Sequence, residues 1–259
     1  MNRSTLILSA LLGTFLAALP SIAADDDKWA NIRGSVTYPG APPKQDPIVP
    51  GVDKNVCAKD QAAGLLEEDF IINAKNKGLK NVFVWIRPIA AEKDDKFPKD
   101  KIHPDLVKPA KPTVEIDQPC CRFIPHVLGA REGQKISIKN SAPVAHNAKW
   151  SSKNNGDINP LLPAGGVFNK PEELVFEPGE IVLQCNIHGW MKASVRVFDH
   201  PYFAITDEDG NFEIMNAPVG KYSLYVHHNA SGWLGGAAGR KGQPIEIKKG
   251  GTDVGVLKW

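Results

Sequence analysis

Methionine is scarce in this chain: there are three in 259 residues, at Met1, Met191 and Met215. Cysteine is nearly as scarce, with four, at positions 57, 120, 121 and 185. Neither sign of charge dominates, since 31 Lys and Arg stand against 29 Asp and Glu for a formal +2, which falls by one more if Arg3 is removed. A balanced chain lacks the basic field that grips a phosphate backbone, so nucleic acid is not an expected partner. After residue 24 no stretch is apolar enough to span a bilayer, so no membrane span is expected in the mature chain. No segment carries a long helical apolar stripe either, which argues against a helical bundle.

The first residues read as an export leader. Arg3 gives the positive start, Leu6 to Ala18 the apolar run, and Ser21-Ile22-Ala23 a small-x-small cleavage pattern. Residues 1–24 are therefore expected to be a signal peptide, with cleavage after Ala23 or Ala24. The run is too short for a stable anchor, and no Cys follows the cleavage site to carry a lipid. The expected location is the periplasm or outside the cell, where disulfides persist.

The chain also has plenty of turn formers, 23 Gly and 21 Pro. Short alternating or β-branched runs between them predict an all-β protein. Strands are expected over residues 32–38, 70–72, 79–86, 113–117, 134–140, 181–185, 191–198, 203–206, 211–214, 221–227, 245–247 and 254–257. The run 123–128 reads as extended. Residues 203–206 and 211–214 are expected to pair as a hairpin across Asp207-Glu208-Asp209-Gly210. Residues 92–112 read as an exposed connector and 151–163 as loop.

Against this background one heptapeptide stands out: Cys185-Asn186-Ile187-His188-Gly189-Trp190-Met191, with Ala145-His146-Asn147 upstream. With so few methionines, one falling three residues after a His is a poor candidate for coincidence. Two His, one Cys and a weak Met make the donor set that soft-ligand chemistry assigns to a single blue copper ion. The expected metal ligands are His146, Cys185, His188 and Met191, with Cys185 binding as thiolate. Structural zinc would want four strong ligands, and Met is a poor one. The features that activate a Cys–His protease pair are absent. Gln184 and Asn186, not histidines, flank Cys185, and no second His cluster exists for an oxygen- or nitrite-reducing centre, so no enzymatic activity is expected. His227 and His228 should point to opposite faces of a strand and chelate poorly. If Cys185 holds the metal, three cysteines remain. The expected disulfide joins Cys57 to Cys121 or to Cys120, a choice that sequence leaves open.

The block from Thr113 to Asp199 resembles a cupredoxin. It has an early strand, then Gly133-Gln134-Lys135-Ile136-Ser137-Ile138-Lys139-Asn140, then His146-Asn147, then a strand ending in Cys with His and Met close behind. The Cys-x-x-His-x-x-Met spacing is similar to that of amicyanin. The resemblance implies a Greek-key β-sandwich with one type 1 copper at its end. It also implies that Asn147 bonds across to the ligand loop and holds the two loops together, tuning the site from outside the ligand set. The flanks resemble a different family. Thr206-Asp207-Glu208-Asp209-Gly210-Asn211-Phe212-Glu213-Ile214, with Ala217 to Val226, looks like the carboxypeptidase regulatory-like domain, a small transthyretin-like β-sandwich. Gly34-Ser35-Val36 and Asn81-Val82-Phe83-Val84 fit that family's opening strands. The expected organisation is a cupredoxin of residues 113–198 inserted in, or flanked by, a regulatory-like sandwich of residues 25–112 and 199–259.

The expected function is one-electron shuttling between periplasmic redox partners, with a c-type cytochrome or a dehydrogenase as the partner class the resemblance implies. Electrons would pass through the outer edge of His188. Ile187, Trp190, Leu161, Leu162 and Pro163 would form a small docking face, as weak redox encounters use small interfaces. Trp190 could equally be packing beneath the loop. Two other readings remain: copper storage or delivery, and a cell-surface scaffold in which the cupredoxin has only a structural role.

Overall fold

The computed structural model describes residues 27–41, 44, 47–57 and 65–259. The expected signal peptide, residues 1–24, lies outside them. The described chain is nearly all β, as the turn-rich composition predicts. Helix among the described residues is confined to Lys54–Cys57 and three short 3-10 turns.

Its strands gather around two separate buried cores. In the first, Trp29–Thr37 lies between Asn211–Pro218, antiparallel, and Thr252–Lys258, parallel. Facing it is a sheet in which Val82–Pro88 lies between Phe203–Ile205 and Gly220–His228, and the last of these also pairs with Gln243–Ile247. Ile32, Val36, Val84, Ile86, Tyr202, Ile214 and Val226 fill the space between. These strands come from before residue 113 and after residue 198. The second core lies between two three-stranded sheets: Thr113–Ile116, Lys135–Lys139 and Val167–Asn169 on one side; Val127–Arg131, Lys192–Phe198 and Ile181–Gln184 on the other. Ile116, Phe123, Ile136, Ile138, Trp150, Leu183, Val195 and Val197 are buried between them.

Two strands show why the cores stack. Side chains alternate across a strand, yet Val82–Ile86 and Ala193–Phe198 are buried at every position. Val82, Val84 and Ile86 enter the first core, and Ala193, Val195 and Val197 enter the second. Their other faces meet: Phe83, Trp85 and Phe198 form a third cluster with Val127 and Tyr225, and the Arg196 guanidinium lies 4.5 Å from the Trp85 ring centre. An apolar run without alternation thus marks a strand covered on both sides. Gly129 permits the close approach, since a Cβ there would lie 2.5 Å from the Phe203 ring.

Several expectations are corrected. Phe203–Ile205 and Asn211–Pro218 do not form a hairpin; they join opposite sheets. The turn between them exists, with Asp207 Oδ1 accepting from the Asp209 and Asn211 N–H groups. The carbonyl of Gly210, which sits at φ +78°, then accepts from the Val36 N–H at 2.8 Å, which steers the chain across the sandwich. A Cβ on Gly210 would lie 2.3 Å from the Val36 carbonyl oxygen. Residues 70–72 make only the Ile72–Leu79 bridge, because Asn73 and Asn76 tie the following turn to Asp209 instead. The connector 92–112 is not plain: Phe97 is buried, stacks on Tyr222 and donates its N–H to the Asp199 carboxylate. Within 151–163, Leu161–Leu162 is a two-residue strand against His146–Asn147.

Candidate metal centre

The strand Ile181–Gln184 pairs with Lys192–Phe198 and delivers Cys185 at its end. The loop between the strands closes on itself, since Cys185 N–H donates to the Met191 carbonyl at 3.1 Å and Met191 N–H to the His188 carbonyl at 2.9 Å. The two bonds bring the Met191 backbone back to Cys185 and His188, and Cys185 and Met191 are buried in the same core. His146 arrives from the other side, on the two-residue strand whose partner is Leu162. Asn140 holds that connection by donating from Nδ2 to the Val144 and Leu162 carbonyls, each at 2.8 Å.

His146 Nδ1 and His188 Nδ1 face each other at 2.9 Å, and the Cys185 Sγ lies 4.0 Å from the first and 3.9 Å from the second. All three side chains are buried. A triangle of this size suits one first-row cation at ligand bonds of roughly 2 Å. The sulfur is cradled by the N–H groups of Asn147 at 3.5 Å and His188 at 3.4 Å. Burial first, and then the neighbouring His188, push the pKa of His146 down to about 4, so the ring is neutral at neutral pH. Neutral imidazole is the form that ligates metals. Asn147 spans the two loops: its Oδ1 accepts from the Asn186 N–H at 2.7 Å, and its Nδ2 donates to Asn159 Oδ1 at 2.6 Å.

The outer side of His188 is not what the sequence suggests. Its side chain is 0% exposed, so the ring has no free edge at the surface. The segment 47–57 covers it. Asp53 Oδ2 lies 3.0 Å from His188 Nε2, and the segment is fastened by a disulfide between Cys57 and Cys121. The sulfurs of that disulfide lie within 4.8 Å of a His188 ring nitrogen. Cys120, the other pairing left open by the sequence, is half-buried and outside the bond. Trp190 is half-buried, donates its Nε1–H to the Cys121 carbonyl at 3.1 Å and packs against the second core, so it supports the loop from beneath. Of the expected docking residues, Leu161 is 68% and Ile187 40% exposed, but Leu162 is buried. Asp53 is the residue that sequence reasoning missed. Its sole signal is the nearby Cys57, four positions on in a Pro-rich stretch.

No family model matches the chain, and no curated protein matches it. Solved structures similar to it include a purple cupredoxin from Nitrosopumilus maritimus, 24% identical, with a TM-score of 0.27 over 32% of this chain and 98% of that one. A copper(I) form of an amicyanin variant is 16% identical, with a TM-score of 0.30 over 44% of this chain and 97% of that one. A copper-containing nitrite reductase from Thermus scotoductus is 22% identical, with a TM-score of 0.29 over 43% of this chain and 25% of that one.

Proposed function

We propose that this chain is an exported type 1 copper protein that carries single electrons and catalyses no reaction of its own. The observation that carries the reading is the convergence of His146 Nδ1, His188 Nδ1 and Cys185 Sγ, 2.9 to 4.0 Å apart, in one buried pocket. In this reading His146, Cys185 and His188 would hold one copper ion, with the Met191 thioether as a fourth, weaker ligand. Copper bound there supplies a one-electron couple. The residues of the chain do the rest. Burial excludes water, Asn147 ties the two ligand-bearing loops together, and the paired strands fix the spacing, so the ligands need little rearrangement when charge changes. The depth of the ligands argues against ready release, which disfavours storage or delivery.

We further propose that residues 113–198 are a cupredoxin unit inserted in a regulatory-like sandwich made of residues 25–112 and 199–259, and that residues 1–24 direct export to the periplasm or beyond. The partner class is a redox protein such as a c-type cytochrome or a dehydrogenase. Exposed Leu161 and Ile187 support a small docking face beside the ligand loop.

The test is a copper titration followed by visible absorption. An intense thiolate-to-copper band that saturates at one copper per chain is expected. Cys185→Ser should abolish the band. Loading without the band, or a coloured Cys185→Ser protein, rejects the assignment.

A further inference from the structure

His188 carries two nitrogens with different neighbours, and this difference has a consequence for which one is free to bind. Nδ1 points into the pocket, 2.9 Å from His146 Nδ1 and 3.9 Å from Cys185 Sγ. Nε2 points away from it, 3.0 Å from Asp53 Oδ2. A carboxylate only accepts hydrogen bonds, so a neutral His188 facing it places its proton on Nε2 and leaves the Nδ1 lone pair directed at the pocket. The contact at His146 Nδ1 agrees with this, since that nitrogen can then donate to the acceptor on His188.

The carboxylate is held in place by its backbone. Asp53 sits at φ +51°, in the left-handed region that Asp tolerates better than most residues. Its carbonyl accepts from the Val56 and Cys57 N–H groups at 2.8 and 2.9 Å. Cys57 is then bonded to Cys121, and the Cys121 carbonyl accepts from Trp190 within the ligand loop itself. A conformation of this kind persists where the surroundings over-determine it. Here the surroundings are a turn, a covalent bond and the loop the carboxylate serves.

We propose that Asp53 is a positioning residue for the metal centre. It fixes the tautomer of His188, makes that ring a stronger donor, and closes the ring's outer edge against solvent. A carboxylate on the far nitrogen of a metal-bound His raises the basicity of the ligand and tunes the metal it holds. The added negative charge favours the more highly charged oxidation state of the metal, so it lowers the reduction potential. The inference rests on the copper reading for its redox consequence, but not for the tautomer.

The experiment uses the full chain and two variants, Asp53→Asn and Asp53→Ala, each first checked by thiol counting for the intact Cys57–Cys121 bond. Ring 15N spectra of the metal-free protein should show His188 as the Nε2–H tautomer in the parent and in Asp53→Asn, which keeps an acceptor oxygen. Asp53→Ala should lose that fixed tautomer. In the copper-loaded protein Asp53→Asn should raise the midpoint potential, and Asp53→Ala should weaken copper binding by about 10- to 100-fold. Unchanged ring spectra in Asp53→Ala, or an unchanged potential in Asp53→Asn, would overturn the proposal. A protein that takes up no copper yet shows the Asp53-dependent tautomer would support the positioning role while rejecting the copper reading. A blue protein indifferent to both substitutions would do the reverse.

Discussion

The two sandwiches of this chain are built from similar strands but to different ends. The one around Ile138 and Val195 puts its chemistry in a short loop, with three of the four candidate ligands within seven residues. The one around Ile32 and Val226 has no such loop, and it is assembled from segments more than a hundred residues apart. The first can be read locally because ligation fixes residue type and spacing together. The second is a frame, and what it supplies to the site arrives indirectly. The frame strand Val82–Pro88 presses Phe83 and Trp85 against the back of the ligand-bearing sheet, while segment 47–57 reaches across to cap His188. If the frame does position the site, loosening it should be felt at the candidate ligands.

The largest test of that division is Trp85→Ala. Trp85 is buried against Phe198, Tyr225 and Arg196, and truncating a buried Trp costs about 3–5 kcal/mol. The expected result is a lower unfolding midpoint, and the single thermal transition should split into two as the sandwiches uncouple. One sharp transition at the parental temperature would show that the interface contributes little. Next comes removal of the tether in Cys57→Ser/Cys121→Ser. The bond spans 64 positions, and the chain-entropy account gives it about 4 kcal/mol. Denaturant unfolding should show a loss of that order. Hydrogen exchange should rise in segment 47–57 above all, and protection there equal to the parent's would mean that packing alone holds the cap.

Acid acts by a different route, through buried histidines, and three of them belong to the frame or its edge. Burial holds His227 and His228 down to about 4, and His200, at the frame's boundary, down to about 3. Each ring stays neutral in the folded chain while the unfolded chain protonates near 6.5. The unfolded state therefore binds more protons as pH falls, and stability drops from about pH 6.5 down through the folded values. His228 has Asp69 beside it, which opposes the shift, and His227 has Arg196, which adds to it. Unfolding midpoints measured from pH 7 to pH 4 should decline, and His228→Gln should flatten the decline. A profile flat over that range would contradict the burial of these rings.

Much of the fold was legible in the sequence for physical reasons that can be named. The strands around Ile32, Ile138 and Val195 alternate or run apolar as their burial requires, and the turn at Asp207 to Gly210 has the residues such turns need. The pairing that follows the turn was not legible. A hairpin and a crossover to the opposite sheet have the same local sequence, and only the distant Val36 backbone decides between them. The same holds at the site. The convergence of His146, Cys185 and His188 could be anticipated because metal-binding chemistry draws on few residue types, and these are scarce in the chain. Asp53 could not, since an aspartate in a Pro-rich stretch is ordinary until a disulfide brings it to an imidazole 135 positions away. The expected exposed edge of His188 failed for this reason, because nothing within the ligand loop announces what will cover it.

The parallel pairing of Trp29–Thr37 with Thr252–Lys258 sets an order of assembly. The strand Trp29–Thr37 cannot complete its ladder until Thr252–Lys258 is available, whereas every strand around the ligand loop is complete by Phe198. Contacts between residues near in sequence form sooner than those that must close a long loop. The half that carries the candidate ligands can therefore ripen while its surround is still open, and the surround clasps it afterwards, like a setting closed around a stone already cut.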